Sequence, residues 1–253
     1  MAFVDVGAAR LEVERIDVGR RDVAAIVMLH EGLGSVAMWK DFPHRVAHAA
    51  GRDVLVYSRA GYGRSSPAAL PYGVRYMHDE ALAVLPRLLD ACGVERPILF
   101  GHSDGASIAL IHAGAQPRPV TGLVLMAPHV FVEDVSIASI AAAKTAWRAT
   151  DLRERLARYH DDVDAAFTGW NDIWLDPAFR AWDIAAEVRD VQRPILAIQG
   201  EDDEYGTMEQ VERIARLASD VDVVKLADCR HAPHRDQPDA VLEALVRFVD
   251  RLG

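Results

Sequence analysis

Cysteine is scarce in this chain. Only Cys92 and Cys229 occur among its 253 residues, and they lie far apart in sequence. Disulfide-stabilised folds need several paired cysteines, so this scarcity argues against such a framework and fits a reducing compartment. No His, Cys or carboxylate grouping has a metal-ligand spacing such as His-Glu-x-x-His, so the sequence predicts no metal site.

Long apolar runs and an excess of basic residues are also lacking. No apolar run approaches the length of a membrane-spanning helix. The first residues show no basic region followed by an apolar core, as a secretory signal would. A net charge of −10 disfavours binding to nucleic acids and acidic membrane surfaces. We therefore expect a cytoplasmic protein that binds neither nucleic acid nor membrane.

Buried strands alternate with helical segments along most of the chain. Continuously apolar stretches, typical of strands covered by helices on both faces, occur at residues 24–29, 53–57, 97–102, 120–127 and 194–199. The segments between them have helical periodicity, as in βαβ units. The pattern predicts an α/β fold with a mostly parallel central sheet flanked by helices.

Other segments do not follow this alternation of buried strands and helices. Residues 2–16 alternate apolar and polar, which predicts half-exposed antiparallel strands at the sheet edge. We predict helices over residues 36–50 and 76–92, the second kinked by Pro86. Residues 134–187 are helix-like throughout and are predicted to form an inserted helical cap. The predicted core domain is then residues 1–133 and 188–253.

A glycine-flanked serine follows the predicted strand at residues 97–102. Ser103 lies between Gly101 and Gly105, and a helical pattern begins directly after it. Small residues on both sides permit a tight strand-to-helix turn that exposes the hydroxyl group. This context predicts a nucleophilic serine.

Two partners for the serine come later in the chain. Asp203 follows one predicted strand and His231 follows the last one. The loops at the carboxyl ends of parallel strands meet at one sheet edge, so these side chains are expected to converge on Ser103. We favour Asp203 over a merely solvated acidic loop. We favour His231 over His234 because His231 comes first after the strand, and we expect His234 to make structural hydrogen bonds.

At this point the sequence resembles the α/β-hydrolase fold superfamily, in its cap-bearing serine ester hydrolase branch. Five segments carry the resemblance: 30–35, the oxyanion turn; 61–65, the Gly-x-Gly-x-Ser turn; 101–105, the serine elbow; 200–203, the acid motif; and 231–238, the histidine motif. Together they cover nearly the whole chain outside the predicted cap, and they are far less informative about the substrate than about the fold.

The resemblance implies a role for each candidate residue. Ser103 would attack an acyl carbonyl, His231 would take its proton, and Asp203 would orient the imidazole. The backbone N–H groups of Gly32 and Asp104 would stabilise the oxyanion, with Leu33 as the alternative to Gly32. This chemistry needs no cofactor.

The chain departs from the family pattern at four positions. Glu31 stands where Gly is common, Ser58 where relatives often have Asp, and Arg230 where Gly often precedes the histidine. The carboxylate of Asp104 has no explanation at this stage. In the predicted cap, Trp147, Trp170, Trp174 and Trp182 suggest an apolar pocket, but the sequence does not tell lining residues from packing ones.

The leading functional prediction is hydrolysis of a carboxylic ester or lactone of a small to medium apolar substrate. The alternatives are a hydrolase that cleaves carbon–carbon bonds of ring-fission products, a thioesterase, and a ligand-sensing protein without activity. Relatives of the carbon–carbon type usually have a second Gly after the elbow, where this chain has Ala106. The predicted partner is a small molecule, and the oligomeric state stays open.

Overall fold

Eight strands form one twisted sheet in the computed structural model, which describes residues 2–20 and 22–253. The strands are β1 (Ala2–Val6), β2 (Ala9–Ile16), β3 (Ile26–Leu29), β4 (Val54–Tyr57), β5 (Ile98–His102), β6 (Gly122–Met126), β7 (Ile195–Gly200) and β8 (Val221–Leu226). Their order is β1-β2-β4-β3-β5-β6-β7-β8. Only β1 and β2 are antiparallel to their neighbours, so the predicted mostly parallel α/β sheet is confirmed.

Burial along the strands follows their place in the sheet. Every residue of β3 to β7 is buried, because helices cover both faces. At the two edges, β1 and β8 mix buried or half-buried residues with exposed ones. Met1 and Arg21, which fall within the predicted core domain, lie outside the described residues.

Helices cover the two faces of the sheet and fill the segment between β6 and β7. They are α1 (Phe42–Ala50), α2 (Tyr76–Asp79), α3 (Leu85–Cys92), α4 (Asp104–Ala115), α5 (Asp134–Ala149), α6 (Leu152–Leu156), α7 (Val163–Trp174), α8 (Ala185–Asp190), α9 (Glu209–Leu217), α10 (Pro233–Asp236) and α11 (Pro238–Leu252). The apolar sides of α1 and α11 pack on one face. Those of α3, α4, α8 and α9 pack on the other. Within the described residues, no helix is long and apolar enough to cross a membrane.

Two predicted helices are interrupted. The segment predicted as one helix over 36–50 is a 3₁₀ turn, Val36–Trp39, followed by α1, because Lys40 has a φ of 54° and cannot continue a right-handed helix. Between α2 and α3 the chain forms a π-helical stretch, Glu80–Val84. Pro86 lies just beyond it and has no N–H for a regular helical bond, so the expected disturbance takes the form of a widened turn.

The segment between β6 and β7 contains α5 to α8 and a 3₁₀ turn, Pro177–Ala181. The last of these helices, α8, spans the predicted cap boundary at 187 and packs closely on α4. A Cβ atom at Gly114 would lie 2.2 Å from the carbonyl oxygen of Glu187. The description of residues 134–187 as a separate cap domain stays a prediction.

Candidate active site

Ser103 occupies a tight turn between β5 and α4. Its φ of 53° lies in the left-handed region that non-glycine residues rarely adopt, and such strain clusters at functional sites. The flanking glycines make the turn possible: a Cβ at Gly101 would lie 2.4 Å from the Gly105 carbonyl oxygen, and a Cβ at Gly105 would lie 2.1 Å from that of Leu29. The backbone segments around Ser103 therefore come so close together that the turn requires glycine at positions 101 and 105.

The structure brings Ser103, Asp203 and His231 together. The His231 Nε2 atom lies 3.0 Å from Ser103 Oγ. Its Nδ1 atom lies 2.8 Å and 2.9 Å from the two carboxylate oxygens of Asp203. Asp203 follows β7 and His231 follows β8, so both reach Ser103 from the carboxyl ends of parallel strands. The three residues predicted from their order in the sequence thus lie in one continuous series of hydrogen bonds.

Asp203 is held as an ionised acceptor. Burial alone would raise the pKa of its carboxyl, but the hydrogen bond and charge of His231, with the Tyr205 backbone N–H, keep this pKa below its usual value. Donation from Tyr205 N at 2.8 Å and from the Gln199 side-chain amide at 2.7 Å occupies further lone pairs. The carboxylate is therefore fixed in place to accept the Nδ1–H of His231.

The predicted oxyanion donors lie on two neighbouring segments. Asp104 is the first residue of α4, where backbone N–H groups lack acceptors within the helix. The close approach of Gly105 to the carbonyl groups of Leu29 and His30 sets the turn after β3 beside this helix start. In the described part of the chain, the amides of Gly32, Leu33 and Asp104 have no protein acceptor. The alternative between Gly32 and Leu33 therefore stays open.

Two further histidines, His30 and His129, lie in or beside the candidate site without replacing His231. His30 accepts a hydrogen bond from Arg59 N at Nε2 and donates from Nδ1 to the Glu31 carbonyl oxygen, which braces the turn after β3. Burial lowers the pKa of His129 to about 3, so this ring is neutral where it packs against Trp174 and His231. A neutral His129 adds no positive charge beside the proposed base.

His234 differs from its expected role. Its ring lies 4.9 Å from the Trp39 ring and 5.4 Å from the Phe42 ring, and burial lowers its pKa well below the usual value. The buried Nδ1 atom has no hydrogen-bond partner among the residues described. The expectation that structural hydrogen bonds hold His234 was wrong for this nitrogen, because the ring is fixed by aromatic packing.

A buried polar cluster surrounds the Asp104 side chain, and sequence reasoning did not find it. Tyr76 donates its hydroxyl proton to Asp104 Oδ2 over 2.7 Å, and Arg59 Nη1 lies 3.7 Å from the same oxygen. Trp174 donates from Nε1 to the Tyr76 hydroxyl at 3.0 Å. Burial raises the pKa of Asp104, and Arg59 opposes that shift. The ion pair with Arg59 and the hydrogen bond from Tyr76 offset the cost of burying the Asp104 carboxylate beside Ser103.

Two of the four tryptophans between β6 and β7 contact the candidate site. Trp170 lies against the oxyanion turn, since a Cβ at Gly32 would come within 2.2 Å of its Nε1 atom. Trp174 reaches Tyr76 and His129. Trp147 and Trp182 instead stack on Phe167 and Phe179. Trp170 and Trp174 are therefore the two of these four tryptophans that adjoin the candidate site.

No residue cluster in the described chain is suited to a metal. Within residues 2–20 and 22–253, no group of three or more His, Cys, Asp or Glu side chains is arranged to hold a metal ion. The polar groups of the site pair with one another, and the arrangement is suited to moving a proton between Ser103 and His231.

Known proteins resemble this chain along almost its whole length. The profile of the "Alpha/beta hydrolase family" matches residues 26–244. A protein of Pseudomonas savastanoi pv. phaseolicola that bears the provisional name carbamate hydrolase RutD is 28% identical over 258 residues, covering 90% of this chain and 94% of that protein. An sn-1-specific diacylglycerol lipase from Danio rerio is 23% identical, covering 91% of this chain and 80% of the lipase.

Solved structures show the same architecture. The enol-lactonase from Burkholderia xenovorans LB400 superposes with a TM-score of 0.77 at 21% identity, covering 98% of this chain and all of that one. A thermophilic esterase from Thermogutta terrifontis superposes with a TM-score of 0.74 at 19% identity, covering 99% of this chain and 98% of that one. At this level of identity the likeness concerns the fold.

Proposed function

This chain belongs to the alpha/beta hydrolase family, and from that premise we propose that it is a serine hydrolase acting through an acyl-enzyme on Ser103. Its substrate is a carboxylic ester or lactone of small to medium size with an apolar portion. The observation that carries the proposal is the continuous hydrogen-bonded chain from Ser103 Oγ through His231 to Asp203, with 3.0 Å and 2.8 Å contacts.

In the first half-reaction, Ser103 Oγ attacks the carbonyl carbon while its proton passes to His231 Nε2. The carbonyl π electrons move onto oxygen, and this oxyanion accepts hydrogen bonds from the backbone N–H groups of Asp104 and of Gly32 or Leu33. Each such donor stabilises the transition state by about 3 to 4 kcal/mol. When the carbonyl re-forms, the bond to the leaving oxygen breaks, and that oxygen takes the proton from His231.

In the second half-reaction, water replaces the alcohol. His231 Nε2 removes a proton from the water, whose oxygen attacks the acyl carbon. The ester bond to Ser103 then breaks, and the serine oxygen recovers its proton from His231, which releases a carboxylic acid. Throughout both halves, Asp203 accepts the Nδ1–H bond and stabilises the positive charge that His231 transiently carries.

The aromatic residues beside the site and one relative guide the choice of substrates. Trp170 and Trp174, both buried, lie next to the oxyanion turn and the Asp104 cluster and make this side of the site apolar, which favours a substrate with an apolar portion. A relative that covers most of this chain is named for carbamates, and carbamate esters carry nitrogen on the acyl side of the ester bond. We therefore place carbamate esters beside carboxylic esters and lactones among the substrates to be tested.

A fluorophosphonate probe tests the nucleophile. The folded wild-type protein is expected to be labelled on Ser103, and Ser103→Ala is expected to lose all labelling. Ser219→Ala, which changes an exposed serine, is the matched control and should label like wild type. Absence of labelling in the folded wild type would contradict the proposed function.

A substrate panel separates the reaction types. It contains p-nitrophenyl esters of increasing acyl length, lactones, a carbamate ester, a thioester and a vinylogous 1,5-diketone. Turnover of the short esters or lactones supports the proposal. Turnover of the diketone alone would replace it with carbon–carbon hydrolysis, and labelling without turnover of any compound would favour a ligand-sensing role.

A further inference from the structure

His102 links the strand that ends at the serine to the loop that carries the candidate base. It is the last residue of β5, one position before Ser103, and it is buried. Its Nε2 atom lies 2.7 Å from the backbone carbonyl oxygen of His231. Because a carbonyl oxygen only accepts hydrogen bonds, the Nε2 of His102 carries a proton and donates it.

The other nitrogen of His102 faces Glu31. Glu31 Oε2 lies 3.5 Å from His102 Nδ1, and the Glu31 side chain is only 17% exposed. This Nδ1 atom makes no hydrogen bond within the described residues, so the carboxylate is its polar neighbour. If the imidazole turned over about its Cβ–Cγ bond, ring carbons would replace nitrogens at both contacts. Because a carboxylate attracts an N–H but repels a nitrogen lone pair, Glu31 places an N–H at Nδ1 and favours the ring orientation in which Nε2 reaches His231.

The Glu31 carboxylate is itself fixed over the oxyanion turn. A Cβ at Gly34 would lie 2.4 Å from Glu31 Oε2, so the carboxylate occupies space that any other residue at Gly34 would fill. Arg235 Nη2 lies 3.7 Å from the other oxygen, Oε1. Burial alone would raise the pKa of Glu31, but the hydrogen bond and charge of His102, together with Arg235, hold it well below its usual value. Glu31 thus stays ionised beside His102.

The position of His231 in the sheet explains why its loop needs such support. His231 follows β8, which is an edge strand, whereas Ser103 follows β5 in the middle of the sheet. The main chain of His231 makes two polar contacts to side chains, with His102 at its carbonyl and with Glu204 at its amide over 3.3 Å. Displacements of about 1 Å in a reacting group can cost about 100-fold in rate.

We propose that Glu31 is a positioning residue: its carboxylate orients His102, and the His102 hydrogen bond to the His231 carbonyl holds the imidazole at Ser103. The inference rests on the proposed acyl-enzyme mechanism. It also explains the departure from the family pattern at position 31, because a glycine there would leave Nδ1 of His102 without its carboxylate.

Removing the carboxylate tests the first link. Glu31→Ala is expected to lower kcat for p-nitrophenyl acetate about tenfold or more, with KM within about twofold, because His231 is misplaced while the substrate pocket is unchanged. Glu31→Gln should stay within about threefold of the wild-type kcat, since its amide oxygen can accept a hydrogen bond from His102 Nδ1 as the carboxylate does. Glu95→Gln changes an exposed carboxylate and is the matched control.

A double-mutant cycle tests the second link. In His102→Gln the glutamine amide can donate to the His231 carbonyl without help from Glu31, so adding Glu31→Ala should cost less than about twofold in kcat. Equal losses in the two backgrounds would overturn the proposal, because they would mean that Glu31 acts directly on the oxyanion turn. A wild-type kcat in Glu31→Ala would overturn it as well.

Folding and the proposed function are controlled separately. Each variant is accepted only if its thermal unfolding is cooperative, and Glu31→Leu takes the place of Glu31→Ala in the cycle if the alanine variant does not fold. If the folded wild-type protein neither reacts with fluorophosphonate nor hydrolyses the ester, the acyl-enzyme mechanism fails. If wild type is active and the cycle is additive, only the role of Glu31 fails.

Discussion

At the scale of single residues, the candidate site depends on which histidine contacts the serine. His231 Nε2 lies 3.0 Å from Ser103 Oγ, whereas the His234 ring packs against Trp39 and Phe42. The two imidazoles are close in sequence but differ in surroundings, because only the ring of His231 reaches Ser103.

Replacing the two histidines separately tests this distinction. His231→Ala is expected to lower kcat about 10⁴-fold or more, because Ser103 loses its base. His234→Ala should keep kcat within about tenfold but melt at a lower temperature, because it leaves a cavity beside Trp39. Steady-state kinetics and thermal unfolding of both variants check this, and near-equal losses of kcat would refute the assignment of His231 as the base.

The polar residues around the site show which features could not be predicted from the sequence. Gly101 and Gly105 point to the elbow because local backbone crowding requires small residues there. The Asp104 cluster depends on Arg59 and Tyr76, which reach it from separate elements. No periodicity or local spacing records such long-range pairs, so the role of the Asp104 carboxylate could not be predicted.

At the scale of secondary-structure elements, the apolar pattern of the sequence predicted the strands well and the helix interruptions less well. The runs from β3 to β7 are apolar throughout because both faces of these strands are covered. The break at Lys40 has no sequence signal, because lysine rarely adopts a φ of 54° and local propensity does not favour it there. Pro86 did give a signal, although the result is a π-helical stretch before it.

The crossing of α4 and α8 ties the segment after β6 to the main sheet. Gly114→Ala is expected to destabilise the protein by about 1 to 3 kcal/mol, because a Cβ there would lie 2.2 Å from the Glu187 carbonyl oxygen and the helices must separate. This clash outweighs the gain of about 1 kcal/mol in helix propensity.

Urea unfolding measures the effect of Gly114→Ala. Gly73→Ala is the matched comparison, because a Cβ at Gly73 meets nothing within 4 Å. A Gly114→Ala variant as stable as Gly73→Ala would show that α4 and α8 do not pack as closely as described.

At the scale of the whole molecule, buried neutral histidines make stability depend on pH. Burial lowers the pKa of five of them below the ordinary value of 6.5: His30, His112, His129, His160 and His234. The unfolded chain binds protons at these positions as pH falls below about 6.5, whereas the folded chain does not. The contribution of these neutral histidines to the free energy of unfolding is therefore fully present above about pH 6.5, and it is lost as the pH falls.

His129 gives this prediction a specific measurement. Its pKa falls from 6.5 to about 3, so the wild-type unfolding free energy should decrease more between pH 7 and pH 4 than that of His129→Leu. The expected difference is on the order of 3 kcal/mol. Urea unfolding at several pH values measures it, with His48→Leu, at an exposed position, as the control. Identical slopes for wild type and His129→Leu would contradict a neutral buried His129.

The central claim is that Ser103 carries the acyl group, and mass spectrometry of the quenched reaction tests it most directly. Wild-type protein mixed with p-nitrophenyl acetate and acidified within the first turnovers should contain one acetyl group, located on the peptide that includes Ser103. Ser103→Ala should contain none. Turnover of the ester with no acyl adduct on Ser103, or with the adduct on another residue, would contradict the account.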